Sequence, residues 1–308
     1  MSTPLVKLLS MSVGLTPTDV MRIISSAPRR YKEFLIPKNN GRGHRKIAQP
    51  SREVKLLQRA LCESVLTGFP VHNAAHGYVR GRGIRTNAEA HQSANFILKM
   101  DFENFFPSMK PNDLRLHLQM YASTRFDENE VRQLELILFW LEKGSDSLRM
   151  CIGAPSSPML SNTFLYSIDA QLTAVCDKSG VTYTRYADDL TFSSSEPNLL
   201  KEIQNETELI IGKADYPKLK INKDKTIHIS KRQRRTVTGI NITPSGKLSI
   251  GRGRKRLMRS MAHRHSQGIL STEDQKMLGG LIAFAADIDP GLAVDIKLSL
   301  LNHPPLAK

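Results

Sequence analysis

Two adjacent acids, Asp188 and Asp189, stand near the end of the stretch Val181–Phe192. The alternation around them predicts a strand, a turn with Ala187-Asp188 at its tip, and a second strand. Two carboxylates at a hairpin tip repel one another unless a cation neutralises them, and hard divalent cations take oxygen ligands. A third acid, Asp101, closes the stretch Asn95–Asp101, where Phe96, Leu98 and Met100 alternate with Ile97, Lys99 and Asp101. That period of two predicts a strand ending in a carboxylate on the face opposite its most apolar side. If the two strands are neighbours, three carboxylates converge. Two divalent ions held there would activate an attacking hydroxyl and stabilise a departing oxygen in an in-line phosphoryl displacement. An Asp-Asp pair alone is more often a solvated turn; the strand-ending Asp101 makes the pattern specific.

The elements that must position these acids follow from caps and periodicity. Thr16-Pro17-Thr18-Asp19 predicts a helix start that runs to about Ser26 and stops before Pro28. Tyr31–Ile36 and His44–Ala48 predict a basic hairpin turning at Asn39-Asn40-Gly41. Ser51 caps a helix with Val54, Leu57, Leu61 and Val65 on one face. Gly77–Arg85, rich in Gly and Arg, reads alone as a flexible loop. Helices are expected over Pro111–Tyr121, Glu128–Glu142, Pro158–Cys176 and Asn198–Ile211. Short strands are expected at Leu219–Asn222, Thr226–Ser230, Val237–Ile242 and Lys247–Ile250, then two or three helices over Arg254–Leu301.

Composition bounds the class. With 308 residues, 40% apolar and 24% charged, the chain has ample material for a core. No apolar run approaches the roughly 18 residues of a membrane span, and no targeting segment is legible, which predicts a cytoplasmic protein without membrane contact. Three scattered cysteines, Cys62, Cys151 and Cys176, fit a reducing compartment. His72 and His76 have i,i+4 spacing but no zinc-like companions, so they read as structural. The formal charge is +15, and Ile211–Arg264 holds 16 Lys/Arg against 2 Asp, so nearly all the excess sits there. A basic block interleaved with strand-like sequence is the electrostatic footprint of a nucleic-acid binder.

Several short motifs, in order, carry a resemblance. Tyr186-Ala187-Asp188-Asp189 resembles the Y-A-D-D signature of reverse transcriptases. Asp101-Phe102-Glu103-Asn104-Phe105-Phe106-Pro107-Ser108 and Gly153-Ala154-Pro155-Ser156-Ser157-Pro158 resemble their first and second palm motifs. Asn87-Ala88-Glu89-Ala90-His91 and Val237-Thr238-Gly239 are similar to the N-A-x-x-H and V-T-G elements of bacterial retron enzymes. Ala27–Lys32 and Arg45–Ser51 are similar to their fingers segments. The matches span about Ala27 to Arg264.

The resemblance implies an α+β right-hand polymerase. Its parts would be N-terminal helices and fingers over 1–95, and an antiparallel palm sheet backed by helices over 96–242. A fingers-side helical insertion would lie near 111–145, and a basic thumb over 243–308. It implies an RNA-directed DNA polymerase using two Mg2+ ions, with Mn2+ as a substitute. Asp101, Phe102, Asp188 and Asp189 would lie on the metal side, and Asp101 and Asp188 would be the principal ligands. Lys225 matches a late palm lysine that could donate a proton to leaving pyrophosphate. Arg45 resembles the fingers arginine that meets the deoxynucleoside triphosphate. Phe106, five residues after Asp101, stands where the family places its sugar gate, and Gly153, Ala154 and Pro155 would line the nascent base pair. One departure is plain: Cys151-Ile152 replaces the usual Pro-Gln, and Ile152 cannot hydrogen-bond near the sugar.

For RNA and DNA contacts the resemblance and the basic block together point to Asn87, His91, Arg232, Arg234, Arg235 and Thr238. They also point to Arg252, Arg254, Lys255, Arg256 and Arg259. Structured RNA is read mainly through shape, backbone and unpaired bases. Retron enzymes start from a 2′-OH of a guanosine in their own non-coding RNA. They copy part of it into a branched RNA–DNA hybrid, in antiphage defence with a separately encoded effector. Rival expectations are a group II intron or diversity-generating enzyme, a non-catalytic RNA-binding scaffold, and a palm-type nucleotide cyclase. The intron reading expects extra maturation or endonuclease regions after Arg264, for which this sequence leaves little room. The complete acid set opposes the scaffold, and the basic block opposes a free-nucleotide substrate.

Overall fold

The computed structural model describes residues 2–38 and 43–302. Helix α1 (Pro4–Val13) was not foreseen. Its N-cap is Thr3, whose hydroxyl accepts from the Val6 N–H, and it buries Leu5, Val6 and Leu9. Gly14 ends it in the left-handed region at φ 69°. Helix α2 (Pro17–Ser26) starts on the expected Thr16 cap. Strands β1 (Tyr31–Pro37) and β2 (His44–Pro50) form the expected hairpin, with Tyr31 opposite Pro50. Its predicted turn, Asn39-Asn40-Gly41, lies outside the described residues. Helix α3 (Arg52–Ser64) is capped by Ser51, and Val54, Leu57, Leu61 and Val65 are all buried.

Next come α4 (Ile84–Glu89), β3 (Phe96–Asp101), α5 (Phe105–Ser108), α6 (Pro111–Tyr121) and α7 (Glu128–Leu138). The last is shorter than the expected helix to Glu142. Phe139 turns extended, and β4 (Trp140–Leu141) pairs with β5 (Leu148–Arg149). Aromatic residues favour the pleated surface, and pairing outweighs the helical period here. The expected single helix over Pro158–Cys176 is two, α8 (Ser157–Phe164) and α9 (Tyr166–Lys178), broken at Leu165 where ψ reaches −2°. Strands β6 (Thr182–Tyr186) and β7 (Asp189–Ser194) flank the acidic turn, and α10 (Leu199–Lys213) follows. The expected strand Leu219–Asn222 shrinks to one bridge between Ile221 and Phe102 before β8 (Ile227–Ser230). Val237–Ile242 is not one strand. Strands β9 (Arg235–Val237) and β10 (Ile240–Ile242) form a hairpin, because Thr238 and Gly239 both take positive φ, 45° and 80°. After β11 (Leu248–Ser249), the chain ends in α11 (Arg252–Ser266), α12 (Thr272–Ile288) and α13 (Pro290–Asn302).

The sheet that positions the acids runs β6-β7-β3-β8, each neighbour antiparallel. Strand β3 is buried on both faces, which explains its nearly continuous apolar run. Leu98 and Met100 enter the larger core with Leu190, Phe192 and the helices beneath the sheet. Ile97 enters a second core built from β9, β10, Met258, Ile282 and Ile296. Each such side chain contributes about 1.5–3 kcal/mol on burial. Strand β3 is therefore fixed from both sides at the point where Asp101 ends it. Among the described residues, no helix is long and apolar enough to cross a membrane.

Candidate active site

Asp101 and Asp189 are direct partners in the β3–β7 ladder, so the two strand-end carboxylates meet by register. Asp188 occupies the turn beside them, and Ala187 holds φ at 57°, a left-handed value that the tight connection demands. The Phe102 N–H donates to the Asp188 carbonyl at 3.3 Å, and the Asn222 N–H donates to the Asp101 carbonyl at 2.7 Å. Asp101 is 7% exposed. Burial, then the charge of Asp101, pushes the Asp188 carboxyl up. Burial, then the neighbouring Asp188 charge, pushes Asp189 to about 6. Three carboxylates are thus crowded together in a low-dielectric corner. The Lys225 ammonium donates to both Asp101 oxygens, at 2.8 and 2.9 Å.

Among the described residues, no His, Cys, Asp and Glu side chains are closed into a finished metal cluster. The donor set nonetheless fits a hard divalent cation: it is all oxygen, and burial with neighbouring carboxylate charge raises both Asp188 and Asp189. Asp101, Asp188 and Asp189 would hold it. The Phe102 side chain stacks on Phe105 at 5.7 Å within the core, so Phe102 offers only its backbone carbonyl.

A cleft of about 350 Å3 is lined by Phe106, Gly153, Ala154 and Pro155, the residues expected around an incoming nucleotide. Phe106 stands edge-on to Phe105 at 5.0 Å. Gly153 holds φ at 122°, and a Cβ there would come 2.8 Å from the Ala48 carbonyl. The Ala48 N–H donates to the Ile152 carbonyl at 2.9 Å, so the β1–β2 hairpin is pinned onto this segment. Ile152 uses its backbone for that bond and presents its side chain to the cleft. Arg45, on β2, is close enough for its charge to lower the pKa of both Asp188 and Tyr78. Three cleft residues were missed: Tyr78, Lys55 and Arg59. Lys55 and Arg59 had a signal, being an i,i+4 basic pair off the apolar face of α3. Tyr78 had none, because its place depends on a backbone at φ 62°. A larger hollow of about 630 Å3, between α10 and β8, contains none of the acids.

The expected nucleic-acid residues divide sharply. Asn87 and His91 are fully buried, so neither offers a side chain to RNA. Both His91 nitrogens are taken, by Ser193 Oγ and Thr184 Oγ1, each at 2.7 Å, and burial pushes its pKa down to about 3. Arg235 is 2% exposed, and its guanidinium donates to the Ala94 and Thr243 carbonyls. The Thr238 hydroxyl donates to the Ile84 carbonyl at 3.1 Å. The N-A-x-x-H and V-T-G elements therefore dock on one another, with α4 wedged between the sheet and the β9–β10 hairpin. Sequence spacing cannot distinguish such a brace from a binding motif. Arg234 donates to Asn241, Arg254 lies 5.2 Å over the Phe284 ring, and Lys255 pairs with Asp289 at 2.6 Å. Arg234 and Arg254 stay exposed despite these contacts, as do Arg232, Arg252, Arg256 and Arg259, the last three on one side of α11.

Comparison with known proteins agrees with this geometry. The family "Reverse transcriptase (RNA-dependent DNA polymerase)" matches residues 36–242. The chain is 36% identical over 273 residues to the retron Ec83 reverse transcriptase of Escherichia coli, covering 87% of this chain and 86% of that one. It is 34% identical to the Escherichia coli retron Ec73 enzyme, covering 89% and 86%. It is 30% identical to the retron Mx65 enzyme of Myxococcus xanthus, covering 92% and 67%. Solved telomerase structures share the fold. That of Candida albicans gives a TM-score of 0.51 at 13% identity, covering 89% of this chain and 56% of that one. That of Candida tropicalis gives 0.53 at 11%, covering 90% and 58%. The chain thus spans little more than half of each telomerase. The fold is an α+β right-hand polymerase, and the chain belongs to the bacterial retron-type reverse transcriptases, a family of RNA-directed DNA polymerases.

Proposed function

We propose that this polymerase copies part of a cognate structured non-coding RNA into multicopy, RNA-linked single-stranded DNA. Synthesis starts from an RNA 2′-OH and proceeds by two-metal nucleotidyl transfer. The observation that carries the chemistry is the register pairing of Asp101 with Asp189 beside Asp188, whose charge is felt by Arg45 and by Tyr78, a residue of the cleft that Phe106 lines. Two Mg2+ ions, or Mn2+ in their place, supply hydroxyl activation and charge neutralisation when bound. Asp101, Asp188 and Asp189 would hold them. Arg45 steadies the triphosphate, and the Phe106 ring excludes a 2′-OH. Lys225, whose ammonium lies 2.8 Å from Asp101, would protonate pyrophosphate as it leaves.

In this reading residues 1–95 form the N-terminal helices and fingers, 96–242 the palm and 243–308 the thumb. Arg232, Arg252, Arg256 and Arg259 contact the RNA or the RNA–DNA hybrid through phosphates. The system acts in the cytoplasm, in antiphage defence with a separately encoded effector. The relatives' retron origin supports these points.

The test is to recover nucleic acid with the protein from its native locus, digest with ribonuclease, and look for a short discrete single-stranded DNA. Such DNA in wild type but not in Asp188→Asn/Asp189→Asn supports the proposal. Bound RNA with no DNA in either would favour a scaffold. DNA made only from an added primer and template would keep the polymerase and discard retron priming.

A further inference from the structure

The acidic turn is held from below by a buried polar chain that no motif announces. Arg185 precedes Tyr186 on β6 and is completely buried. Its guanidinium meets Asp169 of α9 with Nη2 to Oδ2 at 2.6 Å and Nε to Oδ1 at 2.9 Å. The remaining nitrogen, Nη1, donates to the Asn162 amide oxygen at 3.0 Å and to the Ala187 carbonyl at 3.2 Å. Asn162, on α8, passes the chain on: its amide nitrogen donates to the Gly77 carbonyl at 2.9 Å. Gly77 lies directly over the turn. A Cβ there would come 2.8 Å from the Ala187 nitrogen and 3.3 Å from the Tyr186 carbonyl carbon. The same segment is bonded to β6, with the Arg185 N–H donating to Ala74 and the His76 N–H donating to the Arg185 carbonyl, both at 2.7 Å.

We infer that Arg185, Asn162 and Gly77 are positioning residues for Asp188 and Asp189. Residue 187 sits in a left-handed conformation that a non-glycine residue adopts only when its surroundings impose it. Arg185 holds the Ala187 carbonyl, and Gly77 packs against its nitrogen. The turn between them has little room to relax. Asp169 keeps the buried guanidinium paired, so the grip does not leave an isolated charge in the core.

The inference rests on the polymerase reading, so wild-type extension of a primer on an RNA template is the control. Without it, that reading fails first. Asn162→Ala removes the bridge but leaves the Arg185–Asp169 pair intact, and Gly77→Ala presses directly on the turn. Both are expected to melt cooperatively and to bind RNA as wild type does. Their kcat should fall roughly 100-fold, the usual consequence of displacing reacting groups by about 1 Å, with KM for the deoxynucleotide changed less than about threefold. Mn2+ binding, measured by electron paramagnetic resonance of the free ion, should weaken in both, and Asn162→Asp should restore neither property. Wild-type kcat and Mn2+ affinity in Asn162→Ala would overturn the inference. So would activity lost only in step with lost folded protein, or a change in KM alone. If Asn162→Ala fails to fold, Gly77→Ala decides on the same readouts.

Discussion

Two groups of polar side chains hang on the same pair of strands, β6 and β7, and are built in opposite ways. At the turn, Asp188 and Asp189 crowd against Asp101, and burial with mutual repulsion drives the first two toward protonation. Further along the strands, Thr184 and Ser193 close on His91, giving each ring nitrogen a hydroxyl partner while burial keeps the ring neutral. One group keeps two acids, Asp188 and Asp189, raised by burial and mutual repulsion even with Lys225 on Asp101. The other is complete within the protein. Both are motifs of polar residues at fixed spacing, so spacing alone does not separate a site from a brace. What separates them is that two of the acids still repel each other, while the His91 ring has a partner at each nitrogen.

The largest effect expected from this contrast is at the turn. Asp101→Asn or Asp188→Asn should lower primer extension by on the order of 10³-fold or more, with folding and RNA binding retained. Extension within tenfold of wild type would remove these acids from the chemistry. The brace should respond in stability instead. His91→Ala leaves Thr184 and Ser193 facing a cavity and should cost about 2–4 kcal/mol in urea unfolding. Intact stability with a selective loss of RNA affinity would return His91 to the RNA contacts.

Protons sharpen the same comparison. His91 and His117 have folded values pushed down to about 3 and about 4, against an ordinary 6.5. The unfolded chain therefore binds more protons below that value. Their contribution is present at neutral pH and lost as pH falls from about 6.5 toward 4. Urea midpoints should drop across that window, and His91→Gln should flatten the drop.

Smaller effects follow at the acids and on the basic helix. In EDTA, Asp189→Asn relieves repulsion and should raise stability by about 1–2 kcal/mol, while Mg2+ should stabilise it less than wild type. A destabilised variant would mean that Asp189 is satisfied without a cation. On α11, Arg256→Gln/Arg259→Gln should reduce the salt dependence of RNA affinity by about two phosphate contacts' worth. Arg235→Gln should instead lower stability, because its guanidinium is spent on backbone carbonyls. Equal salt slopes in all three proteins would place the RNA elsewhere.

The sequence by itself determined the acids, the strands that end in them and the hairpin between them. Alternation, turn chemistry and like-charge cost are local properties, readable at Asp101 and at Tyr186–Asp189 without knowledge of partners. Caps at Thr16 and Ser51 were legible for the same reason. The sequence also determined the surplus of basic charge, but not which arginines are free to use it. Tertiary structure decided that Arg235 is buried and Arg256 is not, because burial depends on which distant carbonyls a guanidinium reaches. It decided that His91 and Thr238 serve as joints, that helix α9 begins anew after Leu165, and that Gly77 lies against Ala187. The contacts of His91, Thr238 and Gly77 join residues about a hundred or more positions apart, and no periodicity within a short window carries that information.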